Sequence, residues 1–230
     1  MNCIDLHIHT TASDGTDSPR AAVEKAASLG LAAVSITDHD SVSGVPEAMR
    51  AGAELGVEVV SEADLGVKIE VEETGETFAE NSLLKAKAVM EATKLPAVAD
   101  DSGLCVDALN GGPGVYSARF GGEGLDDTGR YRLLLQMMHG QADRRAHFHT
   151  TITCAFPNGD VLQDDGEVEG TIAFAPMGEN GFGYDPVFFV PDKRKTFAQL
   201  SAEEKAEISH RGKALRAFKE TLKNYLAEHQ

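Results

Sequence analysis

The stretch LPAVADDSGL, residues 95–104, joins an apolar run to two adjacent acids and a glycine. A short apolar run between turn signals predicts a buried strand. Asp100 and Asp101 close this strand, so we expect at least one carboxylate to face a cleft at its end. Mg²⁺ prefers carboxylate oxygens, and a water on that ion with a carboxylate beside it is a nucleophile with its base alongside. A solvated turn is the alternative interpretation of these acids.

A helix is predicted immediately before the strand, over residues 72–94. Thr77 and Glu80 have the spacing of a capping box at its start. Apolar residues recur along one face, and this leaves Asn81 and Lys85 together on another face, because residues four apart are neighbours on a helix. The apolar stripe consists of Ala79, Leu83, Ala86 and Met90.

Strands, a loop and a helix are predicted in the second half of the chain, after residue 104. Residues 144–174 have strand patterns with a turn at residues 157–159, and residues 179–191 form a glycine-aromatic loop that enters an apolar strand. Residues 200–229 are predicted to be helical, with Ser201 and Glu204 as a second capping box.

Residues 1–60 alternate between strand and helix patterns in the order β-α-β-α-β, which favours parallel pairing. The first helix is expected to have Ser18 as its cap and Pro19 at its first position, with Gly30 ending it. A second helix is expected over residues 45–56.

Composition narrows the class of protein. The formal net charge of −16 argues against nucleic acid and anionic membranes as partners, because both require a basic surface. The sequence contains no run of 18 apolar residues, so no membrane span is expected. The three cysteines are scattered, and we expect a reduced, cytoplasmic protein.

Residues 61–226 closely resemble the inosine/xanthosine triphosphate pyrophosphatases. The matching motifs occur in the family's order: DLG, EETGETFAEN, LPAVADDSGL, GGPGVYSARF, GENGFGYDPVFFVP and LSAEEKAEISHRGKAL. The resemblance implies an α/β fold with a long central mixed sheet flanked by helices, Mg²⁺ as cofactor and a homodimer. The reaction that it implies is hydrolysis of the purine nucleoside triphosphates ITP, dITP and XTP to monophosphate and pyrophosphate.

The resemblance also implies roles for individual residues. Glu72 and Asp101 would hold magnesium, and Asp101 would also be the catalytic proton acceptor. The residues assigned to the substrate are Ser102, Phe182, Gly183, Tyr184, Asp185, Lys205, His210 and Arg211, with Lys85 and Arg119 as further candidates for phosphate contact.

Simpler interpretations of the same residues stay open. The GFGYD segment is also what a tight turn before a core strand looks like, although Phe182 offers a face on which a purine can stack and Asp185 a polar partner. His210 and Arg211 stand at a helix start that favours anions, but a solvated basic helix end has the same sequence. Lys85 is equally consistent with an ordinary exposed helix lysine.

Residues 1–60 resemble a different family, the PHP (polymerase and histidinol phosphatase) metallophosphoesterases. The matching stretches are DLHIHTTASDGTDSP and SITDHDSVSG. In that family His7, His9 and His39 would ligate a metal such as Zn²⁺ or Mn²⁺, with Asp14 and Asp38 nearby. The pattern stops after residue 60, so we expect half of a PHP site.

The sequence therefore predicts a hybrid of a PHP-like fragment, residues 1–60, and a pyrophosphatase-like domain, residues 61–230. Residues 33–60 would enter the main sheet in place of the family's usual first strand, phosphate-binding loop and helix. That loop, of the form Ser/Thr-x-Asn-x-x-Lys, is missing, and the replacement TDHDS brings Asp38 and Asp40 but no lysine. Triphosphate affinity is the expected weak point, because like charges repel. The alternatives are a hybrid that binds nucleotide or metal with little turnover, and a residual PHP-type phosphoesterase.

Overall fold

A computed structural model describes most of the chain and divides it into two units. The described residues are 3–8, 17–28, 31–36, 50–51, 53–54, 58–60, 71–122 and 124–229. The first unit comprises residues 1–72 and 87–98, and the second comprises residues 73–86 and 99–230. Within the described residues, no helix is long and apolar enough to span a membrane.

The first unit contains a parallel sheet of three strands in the order β1-β2-β3. This confirms the parallel pairing that the sequence predicts. The helix begins at Pro19, and the Ser18 hydroxyl accepts a hydrogen bond from the Ala21 amide at 3.2 Å, as expected for a cap. Gly30 and most of the expected second helix lie outside the described residues. The elements are β1 (Cys3–Ile8), α1 (Pro19–Ser28), β2 (Leu31–Ile36) and β3 (Glu58–Val60).

A second sheet has five strands in the order β4-β5-β6-β7-β8, in which β5 to β8 pair antiparallel. Its strands are β4 (Ala97–Val106), β5 (Arg145–Ala155), β6 (Val161–Ile172), β7 (Phe188–Val190) and β8 (Lys195–Thr196). Its helices are α2 (Phe78–Thr93), α3 (Asp127–Met137), α4 (Ala202–Ile208) and α5 (His210–Glu228). Short 3₁₀ helices cover Asp107–Leu109, Gly114–Arg119 and Phe197–Gln199.

The α/β class is as predicted, with antiparallel strands flanked by helices. In the described residues the strands form two hydrogen-bonded sheets instead of the one long sheet expected. Strand β4 also differs from the prediction, since it continues through Asp100, Asp101 and the following glycine to Val106. Its acids therefore lie within the strand, where side chains alternate between the two faces of the sheet.

Local signals in the sequence set several element ends. The Glu80 amide donates to the Thr77 hydroxyl at 3.1 Å, and the Glu80 carboxylate accepts from the Thr77 amide at 3.2 Å, which confirms the capping box of α2. The β5–β6 hairpin turns at residues 157–159, where Gly159 has a φ of 97°. This left-handed conformation favours glycine.

The predicted C-terminal helix is two helices, because Ser209 is extended with φ −66° and ψ 159°. Its hydroxyl accepts from the Gly212 amide at 3.1 Å and caps α5. Strand β6 lies close to this helix start: a Cβ at Gly166 would collide with the His210 carbonyl oxygen. Glycine at this position thus lets the first turn of α5 pack on the sheet.

Apolar side chains from alternate positions of β5 form the core under α5. Phe148 packs edge-on against Phe188 with ring centroids 4.7 Å apart, and it stacks on Phe197 at 5.7 Å. Ile152 belongs to a second cluster with Ala214 and other residues of α5. This packing fixes the sheet and helix from which the polar site residues project.

Candidate active site

Glu73 and Asp101 lie on either side of one ammonium group. Lys85 Nζ is 3.0 Å from Glu73 Oε1 and 2.8 Å from Asp101 Oδ1. Asn81, one helical turn before Lys85, donates from Nδ2 to Asp101 Oδ2 at 3.3 Å. The spacing of four residues on α2 puts both side chains toward β4, as the sequence predicts. We call Glu73, Lys85 and Asp101 the carboxylate cluster.

Asn81 also brings the segment before α2 back onto the helix. Its side chain is fully buried, and Oδ1 accepts from the Gly75 amide at 2.8 Å. The face of α2 that carries Asn81 and Lys85 therefore packs inward and does not simply face solvent. This contact explains how Glu73, two residues before Gly75, is brought to Lys85.

Partial burial shifts the pKa values in the carboxylate cluster. Burial raises the pKa of Asp101 above its ordinary value, and the hydrogen bond from Lys85 offsets only part of that effect. Burial also tends to raise the pKa of Glu73, but hydrogen bonds from Arg119 and Lys85 outweigh it and leave this pKa lowered. For Lys85, burial opposes the charge, yet Asp101 and Glu73 raise the pKa overall. The two carboxyls thus differ in basicity, and Asp101 is the more basic for its type.

Arg119 extends this arrangement. Its Nη1 donates to Glu73 Oε2 at 2.6 Å, and its guanidinium lies 5.0 Å from the centroid of the Tyr116 ring. Two of the cations predicted for phosphate contact, Lys85 and Arg119, therefore share one carboxylate. Glu73 was not among the site residues predicted from the sequence. Glu72, predicted as a magnesium ligand, is exposed and belongs to the first unit.

Asp100 has different partners from Asp101, because consecutive residues of a strand face opposite ways. Its Oδ2 accepts from Ser102 Oγ at 2.9 Å and from Arg211 Nε at 3.1 Å. Ser102 also lies 2.7 Å from the Thr150 hydroxyl of β5. Two predicted substrate residues, Ser102 and Arg211, are thus held by one carboxylate on the side of β4 that faces α5.

Residues 181–185, here called the aromatic loop, lie beside the helix α4. Asp185 is buried and forms an ion pair with Lys205, and its Oδ2 also accepts from the Phe182 amide at 3.1 Å. Burial raises the pKa of Asp185, and the charge of Lys205 opposes that rise. Lys205 Nζ lies 4.7 Å from the centroid of the Phe182 ring, whose side chain remains accessible.

Tyr184 of the aromatic loop and Arg211 of α5 have different roles around Phe182. Tyr184 is buried, and its hydroxyl donates to the Ser117 carbonyl at 2.9 Å, so it holds the loop on the core. Arg211 lies 5.5 Å from the centroid of the Phe182 ring. Phe182 therefore has cationic groups of both Lys205 and Arg211 within reach of its ring.

His210 begins α5 and is 6% exposed. Its ring stacks on Phe148 with centroids 4.8 Å apart and an interplanar angle of 10°. Burial lowers the pKa of His210 to about 3, and the charges of Arg211 and Lys205 contribute. The imidazole is therefore neutral at ordinary pH. No partner for its Nδ1 lies among the described residues.

The predicted N-terminal metal ligands lie beyond what the structure describes. His9 and His39 fall outside the described residues, and the side chain of His7 is likewise not described.

Comparison with known proteins identifies relatives over most of the chain. The model of the Ham1 family matches residues 45–221, so the match begins inside the segment that the sequence assigns to the PHP-like fragment. A dITP/XTP pyrophosphatase of Thermus thermophilus is 51% identical over 173 residues, which cover 75% of this chain and 83% of that protein. A dITP/XTP pyrophosphatase of Streptomyces coelicolor is 52% identical over 159 residues, which cover 68% of this chain and 80% of that protein.

Solved structures are similar over the same region. The Ham1 protein of Staphylococcus aureus matches with a TM-score of 0.71 and 39% identity, covering 84% of this chain and 99% of that chain. Residues 61–230 alone cannot make up that share of this chain, so the match reaches into the segment 1–60. A dITP/XTP pyrophosphatase of Mycobacterium abscessus matches with a TM-score of 0.64 and 41% identity, covering 81% of this chain and 98% of that chain.

Proposed function

Because this chain belongs to the Ham1 family, we propose that the carboxylate cluster is the catalytic centre of a nucleoside triphosphate pyrophosphatase. The enzyme hydrolyses non-standard purine nucleoside triphosphates, namely ITP, dITP and XTP, to the monophosphate and pyrophosphate. The observation that carries the proposal is the buried Asp101 carboxylate, held by Lys85 at 2.8 Å and oriented by Asn81.

The donor set of the cluster fits Mg²⁺. Glu73 and Asp101 present carboxylate oxygens within reach of one cation, since a single ammonium group now contacts both. We therefore assign the magnesium ligands to Asp101 and Glu73, in place of Glu72, whose side chain is exposed. When bound, the ion offsets the negative charge of the triphosphate and makes a nearby water more acidic.

Asp101 is the proton acceptor in this proposal. Its raised pKa makes it a stronger base than an ordinary aspartate, and its Oδ1 and Oδ2 are fixed by separate partners, Lys85 and Asn81. Lys85 and Arg119 supply positive charge beside it. Both contact Glu73, which we assign as a magnesium ligand, and the ion offsets the charge of the triphosphate. We therefore propose that Lys85 and Arg119 face the phosphate chain of the bound nucleotide.

Base recognition is assigned to the aromatic loop and the start of α5. Phe182 offers an accessible ring for stacking on a purine, and Lys205 and Arg211 lie beside that ring. His210 is neutral, so it can donate to or accept from a base without charge. Ser102 and Asp185 complete the substrate-binding set, with Gly183 and Tyr184 shaping the loop.

For the N-terminal region, we propose that residues 33–60 replace the family's usual first strand, loop and helix. The reach of the family match into the segment 1–60 supports this. The same proposal includes a PHP-like origin of residues 1–60 and a metal such as Zn²⁺ or Mn²⁺ at His7, His9 and His39. It also includes a cytoplasmic location and a homodimer. The absence of a lysine in residues 37–41 favours impaired triphosphate binding, as in the alternative of a hybrid with little turnover.

The function is tested by pyrophosphate release from ITP, dITP and XTP, with ATP as the comparison substrate. We expect release that depends on Mg²⁺ and prefers the non-standard bases. Equal rates with ATP and ITP would contradict the assignment of base recognition. Nucleotide binding without turnover would favour the weakly active hybrid.

A further inference from the structure

Helix α3 is tied to the aromatic loop by one hydrogen bond between segments that are distant in sequence. The Gly183 amide donates to Asp127 Oδ2 at 2.7 Å. Asp127 is the first residue of α3, and Gly183 has a left-handed φ of 58°. The acceptor is a carboxylate, so the bond is charge-assisted and stronger than a neutral one.

Arg130 orients the carboxylate from its other side. Arg130 Nη1 lies 3.1 Å from Asp127 Oδ1, and the Arg130 side chain is only 20% exposed. The two oxygens of Asp127 thus have separate partners, one on its own helix and one on the loop. A planar guanidinium with restricted freedom fixes the direction in which Oδ2 points.

The hydrogen bond from Gly183 to Asp127 lies next to Phe182, the residue on which the purine base stacks in the proposed function. Gly183 directly follows Phe182, and the Phe182 amide is itself held by Asp185 at 3.1 Å. Two backbone amides in succession are therefore fixed by carboxylates, the first by Asp185 and the second by Asp127. Loss of either contact would remove one of the two hydrogen bonds that hold the backbone at Phe182.

We propose that Asp127, oriented by Arg130, is a positioning residue that places Phe182 for recognition of the purine base. The inference rests on the proposed role of the aromatic loop in the reaction. The contacts of Asp127 described above are with the backbone of the aromatic loop and with its own helix, and not with the carboxylate cluster. Its loss should therefore weaken binding of the correct base more than it slows the chemical step.

The adjacent Asp126 provides a matched control. Asp126 is the cap of α3, and its Oδ1 accepts from the Gly129 amide at 2.7 Å. Asp126→Ala removes a carboxylate and a backbone hydrogen bond from the same helix turn, but its contact lies within α3. It therefore reproduces the loss of helix stability without the loss of the loop contact.

The experiment compares Asp127→Ala, Asp127→Asn and Asp126→Ala with the full-length parent. For Asp127→Ala we expect KM for ITP to rise about tenfold with kcat within about twofold, while Asp126→Ala lowers Tm and leaves KM unchanged. Asp127→Asn retains an oxygen that accepts from Gly183, so its rise in KM should be smaller. It also keeps the test available if the alanine variant does not fold. Equal KM values for both alanine variants would overturn the inference.

Two further measurements separate this inference from the proposed function. Phe182→Ala should raise KM for ITP; if it does not, the loop has no role in base recognition and the proposed function fails at that point. Amide hydrogen exchange of residues 181–185 without nucleotide needs no turnover. Faster exchange in Asp127→Ala than in Asp126→Ala supports the positioning role, and equal exchange in the two overturns it.

Discussion

Lys85 Nζ lies 2.8 Å from the Oδ1 atom of Asp101, and the same ammonium lies 3.0 Å from Glu73. The cation therefore compensates the charge of one buried carboxylate, Asp101, and one partly buried carboxylate, Glu73. Removing Lys85 would leave the buried Asp101 carboxylate without the cation that contacts it, which costs more than the pair contributes. The relationship makes Lys85 a sensitive point for both stability and activity.

The first prediction concerns this lysine. Lys85→Met should leave Asp101 without the cation that contacts it, while Glu73 keeps Arg119, and pyrophosphate release should fall at least about a hundredfold. Lys87→Met, an exposed lysine on the same helix, serves as the control and should keep the parent rate. Steady-state rates with saturating Mg²⁺ measure the difference. Equal activity of the two variants would show that Lys85 is an ordinary helix lysine.

The second prediction concerns the ion pair under Phe182. Asp185 is 3% exposed, so Lys205→Met should leave a buried, unpaired carboxylate and lower the free energy of unfolding by about 3–5 kcal/mol. The double variant Asp185→Asn with Lys205→Met should recover part of that loss, because no charge is then stranded. Urea denaturation of the single and double variants measures both values. A double variant less stable than Lys205→Met would rule out this explanation.

The third prediction concerns His210. Its pKa of about 3 in the folded state lies below the ordinary 6.5, so between these values only the unfolded chain takes up the proton. Acidification in that window therefore favours unfolding, and from about pH 7 to about pH 5 this residue should reduce the free energy of unfolding by about 2 kcal/mol. Above the ordinary value it has no such effect.

The variant His210→Phe should lose this part of the pH dependence, whereas His139→Phe, at an exposed position, controls for removal of a histidine. Urea denaturation at the two pH values provides the measurement. If His210→Phe and His139→Phe have the same pH dependence, the imidazole is not buried as a neutral group.

Short-range patterns were sufficient to predict several parts of the fold. The capping boxes of Thr77 with Glu80 and of Ser201 with Glu204 both form, as does the hairpin turn at residues 157–159. Each depends on residues within a few positions of one another. The parallel order of β1 to β3 was also predictable, because strand and helix patterns alternate there.

Features set by distant contacts were not predictable in the same way. Glu72 and Glu73 are chemically identical neighbours, and what distinguishes them is the buried Asn81, whose Oδ1 accepts from Gly75 and turns Glu73 toward Lys85. The continuation of β4 past Asp101 has a similar cause. Its acids are tolerated within the strand because Lys85 on one side and Arg211 on the other provide cations.

The break between α4 and α5 was predicted only in part, because the sequence places His210 and Arg211 at a helix start while residues 200–229 were expected to be one helical stretch. Ser209 carries a signal for the break. Its sequence context, Ser209 followed by Gly212, is that of a helix cap, and the hydroxyl does accept from the Gly212 amide. The uninterrupted helical periodicity on both sides obscured that signal. The break matters for the site, because it puts His210 and Arg211 in the first turn of a new helix.

The most direct test of the central claim is the rate of Mg²⁺-dependent pyrophosphate release from ITP by Asp101→Asn. The substitution keeps the size of the side chain and removes its basicity, so the account predicts a folded protein whose release falls by at least about a thousandfold. Circular dichroism and Tm of the variant confirm folding. Release at the parent rate by folded Asp101→Asn would contradict the assignment of Asp101 as the catalytic base.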